Sequence, residues 1–318
     1  MKTDQLGIRT SQASRRHFLG SAIALAGVVT LPPWILYTGE TSEIPSARKP
    51  KKEKSNRYKI AVCDWMILKR QKAGAFSLAS EIGADGLEVD MGSLGDKPTF
   101  DNKLLDPVER KRFMQESQKY NIEICSIAMS GFYAQSFAER ETVSIMVRDT
   151  INTMVMMHVN MAFLPLGVKG DLLQHPELRP AIVERLKMAG MMAEAAAVTI
   201  GIETSLDAAA EAQLLVEVAS PAIKSYFNVA NALQHGRDLI QELKTLGKDR
   251  ICQIHCTDED GVWLENNTRL NMQEVKKALD EMGWSGWLVL ERSRDARNPQ
   301  DVKGNFGANV KYLKSVFQ

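Results

Sequence analysis

The strongest constraint in the sequence is a rhythm. From residue 58 onward, eight short apolar segments alternate with longer stretches of helical pattern. The segments are Lys59–Cys63, Gly86–Asp90, Ile122–Ala128, Met161–Leu166, Thr199–Glu203, Lys224–Asn228, Ile251–Cys256 and Trp287–Glu291. Their starts lie about 25 to 40 residues apart, the length of one strand-plus-helix unit. Between them, Ala181–Ala197 carries apolar residues at helical spacing. Asp207–Ala219 opens on a capping Asp and is rich in Ala, Leu and Val. Met272–Met282 lies between Asn271 and Gly283, a start-and-stop pairing. Alternation of this kind predicts a parallel sheet. Eight units in one stretch predict an α/β fold of the closed (β/α)8 TIM-barrel type, as a single domain over 58–318. An open dinucleotide-binding sheet would need a Gly-rich turn after the first strand, and Cys63-Asp64-Trp65-Met66 is nothing like one.

In such a barrel the working residues sit at the C-terminal strand ends and in the loops that follow. The fifth segment ends at Glu203, the sixth at Asn228, the seventh at His255 and the eighth at Glu291. Side chains alternate in direction along a strand. Glu203 therefore shares a face with Gly201 and Thr199, and Glu291 with Val289 and Trp287, while Ile200, Ile202, Leu288 and Leu290 point the other way. A carboxylate held unpaired after such an apolar run costs several kcal/mol, which a shared cation would relieve. Two Glu, one His and one amide oxygen offer O and N donors suited to Mn2+, Zn2+, Mg2+ or Co2+, so Glu203, Asn228, His255 and Glu291 form the candidate metal set. Each alone is weak evidence; four in a row at equivalent places is the signal. Asp64, Trp65 and Glu88, at the ends of the first two strands, are expected to line the mouth.

The N-terminus carries a different message. Ser14-Arg15-Arg16-His17-Phe18-Leu19 leads into an apolar, Ala/Gly-rich run ending at Leu31, which is short for a membrane span. A polar lead, a twin-arginine pair and a moderate apolar run are similar to a twin-arginine export signal over residues 1–31. The expectations are handling by the twin-arginine translocase and a periplasmic location. No clear cleavage site follows, which leaves an uncleaved membrane anchor open. Residues 32–57, with four prolines and a run of Lys and Arg, read as a linker. Net charge over the whole chain is only +1, so no nucleic-acid partner is expected. Cys63, Cys125, Cys252 and Cys256 show no metal-type spacing and read as buried thiols, though an oxidising compartment leaves a disulfide open.

The segments Gly201-Ile202-Glu203-Thr204, Phe227-Asn228-Val229-Ala230-Asn231, Ile254-His255-Cys256-Thr257-Asp258 and Leu288-Val289-Leu290-Glu291 resemble the sugar phosphate isomerase/epimerase family, the xylose isomerase-like TIM-barrel group. Gly86-Leu87-Glu88 is similar to the family's early Gly-x-Glu strand, and His255 and Asp258 to its His-x-x-Asp. The resemblance covers about residues 58 to 316. It implies a divalent metal held by Glu, Asp, His and Glu, with two glutamates on opposite sides of a keto-sugar. Glu203 and Glu291 are then the acid/base pair, moving a proton through an ene-diolate that the metal stabilises. The chain departs from the pattern at one place: Asn228 stands where the family usually has Asp, which removes a negative charge. The endonuclease IV branch needs further His ligands, and His158, His175 and His235 do not fall at strand ends.

Lys169, Asn231, Asp258, Arg292 and Arg294 complete the candidate substrate contacts. Export shifts the expected substrate from sugar phosphates toward free or oxidised sugars and glycosides. Two alternatives stay open beside an isomerase or epimerase. One is a lyase or hydrolase that expels a leaving group from a 3-keto-glycoside by β-elimination; the other is a sugar-binding barrel without turnover.

Overall fold

The computed structural model describes residues 57–318. The export-signal and linker expectations, over 1–31 and 32–57, fall outside the described residues apart from Arg57. Within them, eight parallel strands close into a barrel in sequence order. They are β1 (Tyr58–Cys63), β2 (Gly86–Asp90), β3 (Glu123–Ala128), β4 (Met161–Pro165), β5 (Thr199–Glu203), β6 (Ile223–Asn228), β7 (Ile251–His255) and β8 (Gly286–Leu290). Pairing of β1 with β8 closes the ring. This is the (β/α)8 fold that the sequence rhythm predicts.

The helices among the described residues are α1 (Gly74–Glu81), α2 (Pro107–Tyr120), α3 (Val143–Met157), α4 (Arg179–Ala195), α5 (Ala208–Val218), α6 (Val229–Gln234), α7 (Leu239–Leu246), α8 (Met272–Met282) and α9 (Val302–Phe317). Local chemistry sets their ends. Asp207 accepts from the Ala210 N–H and starts α5. Asn271 accepts from the Gln273 and Glu274 N–H groups to start α8, and Gly283, at φ 71°, ends it in the left-handed region. Strand bounds shift from the sequence reading by a residue or so, and the shift matters at β8. That strand ends at Leu290, so Glu291 is the first residue of the loop.

Apolar side chains pack in two places. The larger cluster lies between the strands and the helices, with residues such as Ile60, Leu87, Ile200, Ile254 and Leu288 facing outward onto Phe76, Leu186 and Phe306. A smaller cluster fills the barrel itself: Ala61, Cys63, Cys125, Ala128, Phe163, Tyr226 and Val289. Gly201 makes room there. A Cβ at this position would come within 2.6 Å of Cys252 Sγ and 2.9 Å of Tyr226 Cβ. The four cysteines are free thiols, three of them buried. No helix of the described residues is long and apolar enough to cross a membrane.

Candidate functional site

Four neighbouring strands bring four polar side chains to one point. Glu203 ends β5, Asn228 ends β6 and His255 ends β7; Glu291 follows β8. Asn228 pairs in register with His255, and His255 with Val289, so the ligand-type residues stand at similar heights on the rim. All four are buried. His255 Nδ1 lies 2.9 Å from Glu203 Oε2 and 3.8 Å from Glu291 Oε2. Asn228 Nδ2 donates to Glu203 Oε2 at 2.9 Å and to Glu291 Oε2 at 3.4 Å. One oxygen or nitrogen from each of Glu203, His255 and Glu291 falls within 4.8 Å of the other two.

A fifth residue belongs to this group. Tyr133, from the short helical turn Ser130–Tyr133 after β3, places its hydroxyl 3.0 Å from both Glu203 Oε1 and Glu291 Oε1. Burial and the two carboxylates push its pKa well above the usual tyrosine value, so it stays a neutral phenol. Tyr133 is not among the residues that the sequence singles out, because an aromatic in a loop reads as a packing residue. Its place in the loop after β3, on the functional face of the barrel, was the available signal.

Beneath the rim, the barrel interior holds His255 from the other side. Its Nε2 lies 3.2 Å from Glu88 Oε1. Glu88 also accepts from Ser126 Oγ at 2.6 Å, Tyr226 hydroxyl at 2.8 Å and Cys63 Sγ at 3.4 Å. The Phe163 ring packs against the imidazole, with centroids 4.7 Å apart. His255 is thus fixed between two carboxylates by its two nitrogens. Burial alone would lower its pKa, but Glu291, Glu203 and Glu88 outweigh this and raise it well above the ordinary value. Burial raises Glu291, His255 opposes the rise and Glu203 adds to it.

Above the carboxylates opens a cavity of about 480 Å³, a size common for small-molecule sites. Its walls come from the loops after β3 to β8 and include Tyr133, Asp171, Gln174, Ser205, Asn231, Gln234, His235, Glu259 and Arg292. Of the expected substrate contacts, Asn231 and Arg292 line it. The others do not. Lys169 is exposed on a neighbouring turn. Arg294 pairs with Asp260, and Asp258 is clamped by Arg269 at 2.6 Å. Trp65 stacks on Phe163, and Glu88 lies beneath the floor. Asp64 is closed off. It accepts from the Gln71 N–H at 2.8 Å and the Asp90 N–H at 3.2 Å, and burial and Asp90 raise its pKa well above the carboxylate range.

The loop carrying Glu291 is itself constrained. Ser293 sits at φ 62°, a left-handed conformation uncommon outside glycine. Its hydroxyl accepts from the Asp258 N–H at 3.0 Å, and Asn309 Nδ2 donates to its carbonyl at 2.8 Å. Such strain persists only where the surroundings enforce it, and here they fix the exit of the chain two residues past Glu291.

A model of the xylose isomerase-like TIM barrel family matches residues 76–316. No curated protein matches the sequence. Among solved structures, the chain is similar to D-psicose 3-epimerase from Clostridium cellulolyticum H10, with TM-score 0.66, 13% identity, and 82% and 99% of the two chains covered. It is similar to D-allulose 3-epimerase from Methylomonas sp., with TM-score 0.62, 14% identity, and 82% and 98% covered. It is also similar to 3-keto-D-glucoside 4-epimerase from E. coli, with TM-score 0.62, 13% identity, and 81% and 99% covered. At these identities the likeness is one of fold.

Proposed function

The chain belongs to the xylose isomerase-like TIM-barrel family, and from that premise we propose that it is a metal-dependent isomerase or epimerase of a keto-sugar or related carbohydrate. The observation that carries this reading is the meeting of Glu203, His255 and Glu291, with the two glutamates lining the cavity above them. Two buried carboxylates facing one space suit proton removal and return at a carbon next to a carbonyl. The similar structures include epimerases solved with D-tagatose and with D-allulose, which supports a carbohydrate as the partner.

Glu203, His255 and Glu291 fit a divalent cation by donor type and by mutual distance. When bound, it would supply Lewis-acid stabilisation of an ene-diolate. The protein's own groups do the rest. Glu203 and Glu291 hold and move the proton, and Glu291, raised by burial, is suited to carry it at the start. Tyr133 keeps the two carboxylates at a fixed spacing through its shared hydroxyl. Asn231, Ser205 and Arg292 stand where substrate hydroxyls would be received.

Export through the twin-arginine route to the periplasm is part of the proposal, and it favours free sugars or glycosides as substrate. The test is transfer of deuterium from solvent into candidate keto-sugars at the carbon next to the carbonyl. Exchange without release of an alcohol supports the epimerase. Release of an alcohol from a 3-keto-glycoside moves the assignment to a lyase on the same glutamates. Sugar binding with no exchange, with or without added metal, rules out both and leaves a binding protein. Fractionation of the expressing cell checks the location.

A further inference from the structure

We infer that Asn228 serves this site as a hydrogen-bond donor to the two glutamates and not as a ligand, so that any cation is held by three side chains: Glu203, His255 and Glu291. The inference rests on the metal-dependent reading and departs from the sequence expectation of four ligands.

The argument is one of amide orientation. Asn228 is the last residue of β6 and also the cap of α6. Its Oδ1 accepts from the Ala230 N–H at 2.9 Å. Its Nδ2 faces Glu203 Oε2 at 2.9 Å and Glu291 Oε2 at 3.4 Å. The two ends of an amide are told apart only by their partners, and here the partners leave one choice. Turning the group over would aim Nδ2 at a backbone N–H and Oδ1 at two carboxylate oxygens. That would lose the cap and place like partial charges face to face in a buried setting. The side chain has one oxygen, which points to the helix start, while Nδ2 occupies the side that faces the carboxylates. An aspartate has two, one for the cap and one to spare.

The consequence concerns the ligand oxygens themselves. Glu203 Oε2 already receives Asn228 Nδ2 and lies 2.9 Å from His255 Nδ1. A cation at this point competes with donors that already serve the carboxylate. Binding should therefore be weak and exchangeable, with one more coordination position left for substrate oxygens than a four-ligand site would leave.

The test is Mn2+ binding by the full-length protein, followed by calorimetry and by the spin resonance of free Mn2+, with no substrate present. Asn228→Asp should bind Mn2+ at least about tenfold more tightly than wild type. It should also melt at a lower temperature without metal, where three carboxylates crowd together, and recover when Mn2+ is added. Asn228→Ser separates the two roles, because serine still caps a helix but lacks the amide donor. It should bind Mn2+ as well as wild type or better. A drop of about tenfold or more in Asn228→Ser would mean that Oδ1 is a ligand and would overturn the inference. So would equal or weaker binding by Asn228→Asp with its fold intact. If neither wild type nor Asn228→Asp binds Mn2+, the metal-dependent reading falls and takes this inference with it.

Discussion

Two arcs of the same barrel rim carry buried acids and treat them in opposite ways. On the β1–β2 side, Asp64 and Asp90 are sealed in. The backbone N–H groups of Gln71 and Asp90 serve Asp64, and Gln71 Nε2 ties the loop to the Asp90 carbonyl at 2.8 Å and to Asn102 Oδ1 at 2.9 Å. On the β5–β8 side, Glu203 and Glu291 are held by groups that can let go: a phenol, an amide and an imidazole. Only the second pair opens onto the cavity. Partners from the local backbone make a carboxylate structural. Partners from other strands, facing open space, leave it free to change protonation or bind. Burial alone does not distinguish the two.

The contrast is tested most severely at the glutamates. Glu203→Gln and Glu291→Gln each keep size and remove the acid. Each should lower solvent exchange into substrate by about a hundredfold to ten-thousandfold, the usual reach of general acid–base catalysis. Melting temperature should change little or rise, because a buried carboxylate has been neutralised. If either variant keeps full exchange, that glutamate is not part of the proton path.

The sealed side should respond in the opposite sense. Asp64→Ala strands two backbone N–H groups, those of Gln71 and Asp90, in a buried place. Each such loss costs on the order of 1–3 kcal/mol. Urea denaturation should show about 2–6 kcal/mol less stability, with exchange per folded molecule close to wild type. A variant as stable as wild type but without exchange would move Asp64 into the working site and end the comparison.

How far the sequence carried this description depends on which physical signal each residue leaves. The barrel was legible because strand and helix periods differ and repeat eight times. The meeting place of Glu203, His255 and Glu291 was legible because strand ends in a closed barrel converge. Asp64 could not be told from Glu203 in the same way. Both are acids ending an apolar segment, and only the course of the following loop decides which is sealed. Tyr133 left little trace, since an aromatic in a loop looks like any packing residue until its hydroxyl is located. The orientation of Asn228 was beyond reach for a similar reason: residue type gives both an oxygen and a nitrogen, and only the position of the Ala230 N–H says which faces the glutamates.

Tyr133→Phe probes the open side more gently. Losing one hydroxyl shared by two carboxylates should reduce exchange by about tenfold, the scale of one hydrogen bond to a charged group. The pH profile should move as well. Tyr133 helps hold Glu291 down, so its removal should push Glu291 further up and, with Glu291 carrying the proton at the start, shift the profile's alkaline limb to higher pH. A fall in rate with no shift in profile would make Tyr133 a packing residue only.

The smallest effect expected is a slope of stability with pH on the sealed side. Burial raises Asp90 to about 6 from an ordinary 3.8, against the pull of Arg70. Between those values the folded protein holds a proton that the unfolded chain has released. Stability from this group is therefore greatest below about pH 4, falls as pH rises toward 6, and is level above that. Asp90→Asn keeps an oxygen for the Gly92 N–H, which Asp90 Oδ1 now accepts at 2.8 Å, and removes the titration. Asp90 Oδ2 and the Ser130 hydroxyl are both buried without a hydrogen-bond partner among the described residues. Urea midpoints at pH 4.5 and pH 7 should differ less in Asp90→Asn than in wild type, with the gain at pH 7. The same comparison made on Glu203→Gln would mix in groups that face the cavity, and salt or Mn2+ should alter its slope but not that of Asp90→Asn. Equal pH slopes in wild type and Asp90→Asn would show that Asp90 ionises in the folded protein as it does in the unfolded chain, and the distinction between sealed and open acids would fail at its sealed end.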